Sequence, residues 1–250
     1  MQRPLHHSAH TLVDQHGRLH PFVLGLLVIV VLLASLGFYW LLTFPDIAGL
    51  ANTNPTSTAL MDARQQQALE DHKPFRRRWT WVPLARIAST LQRAVIAAED
   101  AKFFSHEGFD WEGLKEAAVK DLEAGKVTHG GSTITQQLAK NLYLSAERSW
   151  LRKAREALIT RALEHRLSKR RILEIYLNVA EWGHGVFGAE AAAQHHFHKS
   201  AADLTDEEAA TLAAILPAPR RYDPLRMTAH ILSRQRTILR NMELVSARQR

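Results

Sequence analysis

The feature that most constrains this chain is a run of 23 residues without a charge, Phe22 to Phe44 (FVLGLLVIVVLLASLGFYWLLTF). Roughly 20 apolar residues in a helix, each rising about 1.5 Å, span a bilayer core, so the run is long enough to cross one. Phe38, Tyr39 and Trp40 lie near its far end, where aromatic rings settle at a membrane interface. Arg3 and Arg18 precede it, and no Lys or Arg follows until Arg64. The positive-inside bias puts residues 1–21 in the cytoplasm as a tail and everything after Pro45 on the other side. A cleaved signal peptide would carry a shorter apolar core, about 7–15 residues, ending in a small-x-small site. This run is longer and no such site follows, so the reading is an uncleaved single-pass anchor over residues 22–44.

Past the anchor, residues 45–72 read as a linker and membrane-proximal segment, and 73–250 as one domain. Ala51 to Thr58 (ANTNPTST) is polar and holds a Pro, as a linker would. Ala59 to His72 reads as a polar helix. Lys73 to Pro83 (KPFRRRWTWVP) is basic and aromatic, suited to headgroups or a substrate phosphate, or to a solvated loop with packed tryptophans. The net charge of +7 favours anionic partners. Nucleic acid is set aside because the anchor places the domain on the wrong side of the membrane. With no Cys, disulfides, thiolate catalysis and Cys-based zinc sites are excluded.

The spacing of apolar residues predicts an all-α domain. Pro83 can open a short helix. Ser89 and Gln92 have capping-box spacing before a helix with Leu91, Ala94, Val95 and Ala98 on one face, ending at Glu99 and Asp100. Trp111 to Glu123 reads as a helix and Gly125 to Gly131 as a glycine-rich loop. Ser132 is read as the cap of a helix with Ile134, Leu138 and Leu142 buried, and Gln137, Lys140 and Asn141 on a neighbouring polar face. Ser149 caps a long helix to about Ser168, with Leu151, Ala154, Leu158 and Ala162 read as inward. Ile172 to Leu177 is a further helix, Glu181 to Gly185 a turn, and Gly188 to Phe197 an Ala-rich helix. Thr205 and Glu208 form another capping box, and Pro217 and Pro219 end its helix. About Thr228 to Arg250 is a basic amphipathic segment, read as a solvated or membrane-facing helix.

Three places carry chemistry. Glu99 and Asp100 close an apolar helix, followed by Phe103, His106 and Gly108, as when a helix delivers an acid to a cleft mouth. Gly130 to Asn141 gathers Ser132, Thr133, Gln136, Gln137, Lys140 and Asn141 at a helix N-terminus, where free N–H groups favour an anion. Arg148, Arg152, Lys153 and Arg155 surround Glu156. Four cations around one acid exceed what an i, i+4 ion pair needs and point to phosphate. His195, His196 and His198 do not share a helix face, so no metal site is assigned.

Together these residues resemble the family 51 glycosyltransferases, the peptidoglycan polymerases. Glu99, Asp100, Phe103, His106 and Gly108 resemble the first family motif. Gly131 to Gln137 (GSTITQQ) with Lys140 and Asn141 resembles the second. Arg152, Lys153 and Glu156 resemble the third, and Lys169, Ile172, Glu174, Tyr176 and Asn178 the fourth. Gly188 to Pro224 resembles the fifth, departing at His196 and His198, where that motif often reads Tyr-Phe-Gly-Lys. The anchor and the lack of a transpeptidase domain resemble the monofunctional biosynthetic members.

The resemblance implies a lysozyme-like, two-lobed helical fold with a large lobe and a smaller membrane-facing jaw. It implies polymerisation of lipid II into β-1,4 glycan strands, with inversion and release of undecaprenyl pyrophosphate. Glu99 is then the base on the acceptor hydroxyl. Lys140, Arg148, Arg152 and Lys153 offset the charge of the leaving group, and Glu156 is the second catalytic acid, orienting cations or leaving group. Ser132, Thr133, Gln136, Gln137 and Asn141 position sugar and phosphate, while Asp100, Phe103 and His106 support Glu99. No cofactor is required. A divalent cation, Mg or Mn, at the pyrophosphate is left open. The expected partners are lipid II, the growing lipid-linked glycan, the inner membrane, and cell-wall synthesis and division proteins. The rival readings are a lysozyme-like enzyme that cleaves glycan and an anchored scaffold without catalysis.

Overall fold

The structure is a computed structural model, and it describes residues 21–124, 131–145, 147 and 149–248. Arg148 and residues 125–130 of the glycine-rich loop lie outside the described residues. The chain forms two compact units, Met1–Pro45 and Asp46–Arg250. In the first, helix α1 (Pro21–Leu42) is long and apolar enough to cross a membrane, and none of its residues is buried.

The second unit is helical around one core. Its helices are α2 (Ala59–Glu70), α3 (Ser89–Glu99), α4 (Trp111–Ala124), α5 (Ile134–Tyr143), α6 (Trp150–Arg166), α7 (Lys169–Val179), α8 (Ala189–Phe197), α9 (Asp206–Ile215) and α10 (Ala229–Arg248). Leu91, Ala94, Val95 and Ile96 bury one side of α3 against α9 and α10. Ile134, Leu138, Ala139 and Leu142 bury one side of α5, which packs on α2, α6 and α7. Trp182, Tyr176 and Phe103 are the bulkiest fully buried side chains. Burying side chains of that size contributes about 1.5–3 kcal/mol each.

The chain leaving Pro45 is not a free linker. Ile47 and Leu50 are buried. Arg171 on α7 donates to Leu50 O at 2.8 Å, Thr53 O at 2.9 Å and Asn54 Oδ1 at 2.8 Å. The same guanidinium lies 5.5 Å from the centre of the Trp81 ring. The basic, aromatic stretch beyond is half packed. Trp79 Nε1 donates to Asn178 O at 2.7 Å, while Arg76, Arg77 and Arg78 stay exposed.

Four local readings are corrected. Thr133, not Ser132, caps α5, because Gln136 stands three residues after Thr133 and completes a capping box with it. Ala88, not Ser89, is the cap residue of α3, with no side-chain bond. Gln92 Nε2 instead donates to Leu84 O and Ile87 O at 3.1 and 2.8 Å. On α6 the buried residues are Glu156, Ile159, Thr160 and Leu163, leaving Leu151 and Leu158 exposed. The turn after α7 is part of a three-stranded sheet of β1 (Arg78–Trp79), β2 (Glu181–Gly183) and β3 (Val186–Phe187) in the order β1-β3-β2. β1 runs parallel to β3 and β2 antiparallel to it.

The caps read at Ser149 and Thr205 are formed, the latter as a full capping box with Glu208. In the fifth block, His198 ends α8 in the left-handed region at φ 57°. That conformation favours Gly, the residue the resembling motif carries there.

Candidate active site

Glu99 is the last residue of α3, and its side chain is only 12 % exposed. Two elements distant in sequence, α5 and α10, hold the carboxylate. Gln137 Nε2 on α5 donates to Glu99 Oε2 at 2.8 Å. Arg234 Nη2 on α10 lies 3.8 Å from Oε1 and also donates through Nε to Ala214 O at 3.2 Å. Burial pushes the Glu99 carboxyl above the usual carboxylate range, opposed by the Gln137 hydrogen bond and the charges of Arg234 and Lys140. Such a group is a stronger base than a free carboxylate while its neighbours favour the ionised form.

The residues after Glu99 pin it in place. Asp100 is buried and accepts from His106 Nε2 at 2.9 Å and from the Ile134 backbone N–H at 3.0 Å. His106 Nδ1 accepts from the Gly108 N–H at 3.1 Å, which places the ring proton on Nε2, facing Asp100. Thr133 Oγ1 donates to Gly108 O at 2.7 Å. One carboxylate thus ties the end of α3 to the start of α5. Phe103 is wholly buried beneath Lys169, whose Nζ is 4.5 Å from the ring centre. Asp100 and Phe103 therefore underpin the site and do not line it.

Gly108 has φ +92°, and a Cβ there would meet Thr160 Cγ2 at 2.8 Å and Glu164 Cγ at 3.0 Å. Gly108→Ala is expected to destabilise the domain by roughly 2–4 kcal/mol, from backbone strain plus overpacking. Denaturant unfolding of the solubilised protein measures it, and a loss below about 0.5 kcal/mol would contradict the crowding described.

The second half of the site is built on α5 and α6. Glu156 is buried on α6, with Arg152 Nη1 donating to Oε2 at 2.8 Å and Lys153 Nζ donating to Oε1. Lys140 on α5 feels both carboxylates. Lost hydration holds its ammonium below the usual lysine range; Glu156 and, less strongly, Glu99 raise it, and Arg152 and Lys153 lower it. Phe109, Trp111, Leu114, Ser132, Gln136 and Lys153 line a cleft of about 360 Å³. Phe109 and Trp111 stack in its wall at 5.3 Å between ring centres.

The structure therefore brings Glu99, Gln137, Lys140, Arg152, Lys153 and Glu156 into one electrostatic neighbourhood. Thr133 and Gln136 bond each other in the capping box, so their side chains build the start of α5. Ser132 is exposed beside them, and Asn141 is mostly buried one residue after Lys140. Arg148 lies outside the described residues. Among the described residues no group of three or more His, Asp or Glu side chains could hold a metal ion. Arg234 was missed in a segment read as solvated. Ile231, Ile238 and Met242 form the buried stripe of α10, and Arg234 falls on it at i+3 from Ile231. A charge on an apolar stripe was its one available signal.

A family model described as transglycosylase matches residues 65–243. A biosynthetic peptidoglycan transglycosylase of Herminiimonas arsenicoxydans is 51% identical over 216 residues, covering 86% of this chain and 91% of the relative. One of Laribacter hongkongensis is 49% identical over 218 residues, covering 87% of this chain and 96% of the relative. One of Methylobacillus flagellatus is 50% identical over 214 residues, covering 86% and 92%.

Proposed function

This chain belongs to the transglycosylase family and is a peptidoglycan glycosyltransferase; from that premise we propose that it polymerises lipid II, with Glu99 as the base. The donor is the growing lipid-linked glycan. The 4-hydroxyl of the acceptor lipid II attacks C1 of the donor sugar and passes its proton to Glu99. The bond from C1 to the pyrophosphate oxygen breaks, and undecaprenyl pyrophosphate leaves with the electron pair. A single displacement inverts an α donor into a β-1,4 link.

The observation that carries this reading is the asymmetry of the two carboxylates. Glu99 is held by a neutral amide and backed by more distant cations. Glu156 commits both oxygens to Arg152 and Lys153. A glycosidase needs a proton donor for an alkoxide leaving group. A pyrophosphate needs positive charge placed where its own charge develops, which Lys140, Arg152 and Lys153 supply. Ser132 stands just before α5 and Asn141 in its last turn; both side chains suit sugar or phosphate oxygens. No step here runs through a divalent cation.

Among the described residues one helix, α1, is long and apolar enough to cross a membrane, which is compatible with membrane anchoring. We place the protein in the inner membrane, its N-terminus in the cytoplasm and its domain in the periplasm, among cell-wall synthesis and division proteins. A lipid-linked substrate also accounts for the exposed Trp111, Leu122 and Trp150 on α4 and α6. Purified full-length protein is expected to convert lipid II into glycan polymer, blocked by moenomycin. Release of fragments from finished sacculi, with lipid II untouched, would instead assign a glycan-cleaving enzyme.

A further inference from the structure

Tyr176 lies on α7 with its ring wholly buried. Its hydroxyl donates to Gln137 Oε1 at 2.9 Å, and Gln137 Nε2 donates to Glu99 Oε2 at 2.8 Å. A side-chain amide can turn either end toward a neighbour. Only its N–H end bonds an ionised carboxylate, since the carbonyl end meets it with like charge. We propose that Tyr176 is a positioning residue for glycan synthesis, fixing the Gln137 amide with its N–H toward Glu99 so that this carboxylate stays charged and aimed at the acceptor hydroxyl. The inference rests on the reading of Glu99 as the base.

The chemistry of the three groups supports the relay. Burial holds the Tyr176 phenol well above its ordinary range, so it stays a donor across the working pH. Donation into the amide oxygen polarises the amide and strengthens the N–H bond at its other end. That N–H bond is the largest influence opposing the effect of burial on Glu99. Without the phenol hydroxyl, Oε1 of Gln137 is left unpaired and the amide is held at one end only.

The other groups facing Glu99 stay in place when that hydroxyl is removed. They are Asp100 beside it, Lys140 from α5 and Arg234 from α10. α9 also packs on α3, but its acids Asp206, Glu207 and Glu208 sit in its first turn, where Asp206 lies 3.6 Å from Arg93, well before Glu99 in the helix. The direction of the effect follows. A weaker bond from Gln137 raises the pH at which Glu99 gains a proton, so the acid limb of the rate profile moves to higher pH.

The test is a double-mutant cycle on the detergent-solubilised full chain, following lipid II polymerisation across pH for wild type, Tyr176→Phe, Gln137→Ala and the double variant. The Phe variant keeps the ring and the packing. It is expected to stay folded, unfolding within roughly ten degrees of the wild type, and to lose about three- to tenfold in kcat with little change in KM, the scale of one hydrogen bond. Its acid limb moves to higher pH, and the double variant is no slower than Gln137→Ala alone. An unmoved acid limb, or losses that multiply in the double variant, would overturn the relay. A Glu99→Gln control separates the two layers, since near wild-type turnover there removes the base reading itself.

Discussion

Glu99→Gln lowers the rate of lipid II polymerisation by at least about 10²–10⁴-fold, the range that a positioned general base supplies. The protein remains folded, because Gln is nearly isosteric and still accepts the hydrogen bond that Gln137 Nε2 gives to Glu99. Folding stability gives a second readout. The Glu99 carboxyl is raised from 4.5 in the folded state, chiefly by burial. Below the unfolded value both states carry the proton and burial costs nothing in charge. As pH rises through the folded value, the wild type loses stability, and the deficit is complete above it. The Gln variant lacks that slope. Its thermal stability relative to wild type should therefore rise as pH rises above 4.5, until the folded-state carboxyl is fully ionised. A variant that polymerises lipid II at near wild-type rate would remove Glu99 from the role of base.

Glu156→Gln is the second large loss, about 10²-fold or more, the scale of removing one preorganised electrostatic partner. Arg152 and Lys153 both bond the Glu156 carboxylate, and its charge is the largest influence holding up the ammonium of Lys140. Without it, three cations are left facing one another. Arg152 and Lys153 lose their fixed geometry, and Lys140 gives up its proton at lower pH. The basic limb of kcat/KM is expected to shift toward neutral pH, a change that a surface ion pair worth ~0.3–0.5 kcal/mol would not produce. Near-normal turnover with an unmoved basic limb would reduce the cluster to ordinary helix pairing.

Much of this was legible where sequence distance is short. The helices from α3 to α10 follow apolar runs and breaks, and the box at Thr205 was read from Glu208 three residues on, while that at Thr133 was not. At α5 the neighbouring hydroxyl of Ser132 competed for the same assignment, and only the position of Gln136 decides it. The face of α6 was misread for a physical reason. A helix that builds a polar site buries Glu156 and Thr160 beside Ile159 and Leu163 and leaves Leu151 and Leu158 outside, a departure from the ordinary amphipathic pattern. The strands are two or three residues long, too short to show alternation. The approach of Arg234 to Glu99 and the hydroxyl of Tyr176 on Gln137 join residues far apart in sequence. No local pattern encodes such contacts.

Helix α5 carries Gln137 toward Glu99 and Lys140 toward Glu156. The two side chains are three residues apart, about 4.5 Å along the axis and about 60° around it. Their helix is clamped at its start by the Thr133 box and by Asp100 on the Ile134 N–H. One turn of helix is thus a gauge between Glu99, the proposed base, and the cations proposed for the leaving pyrophosphate. The gauge is the same for every addition to the strand.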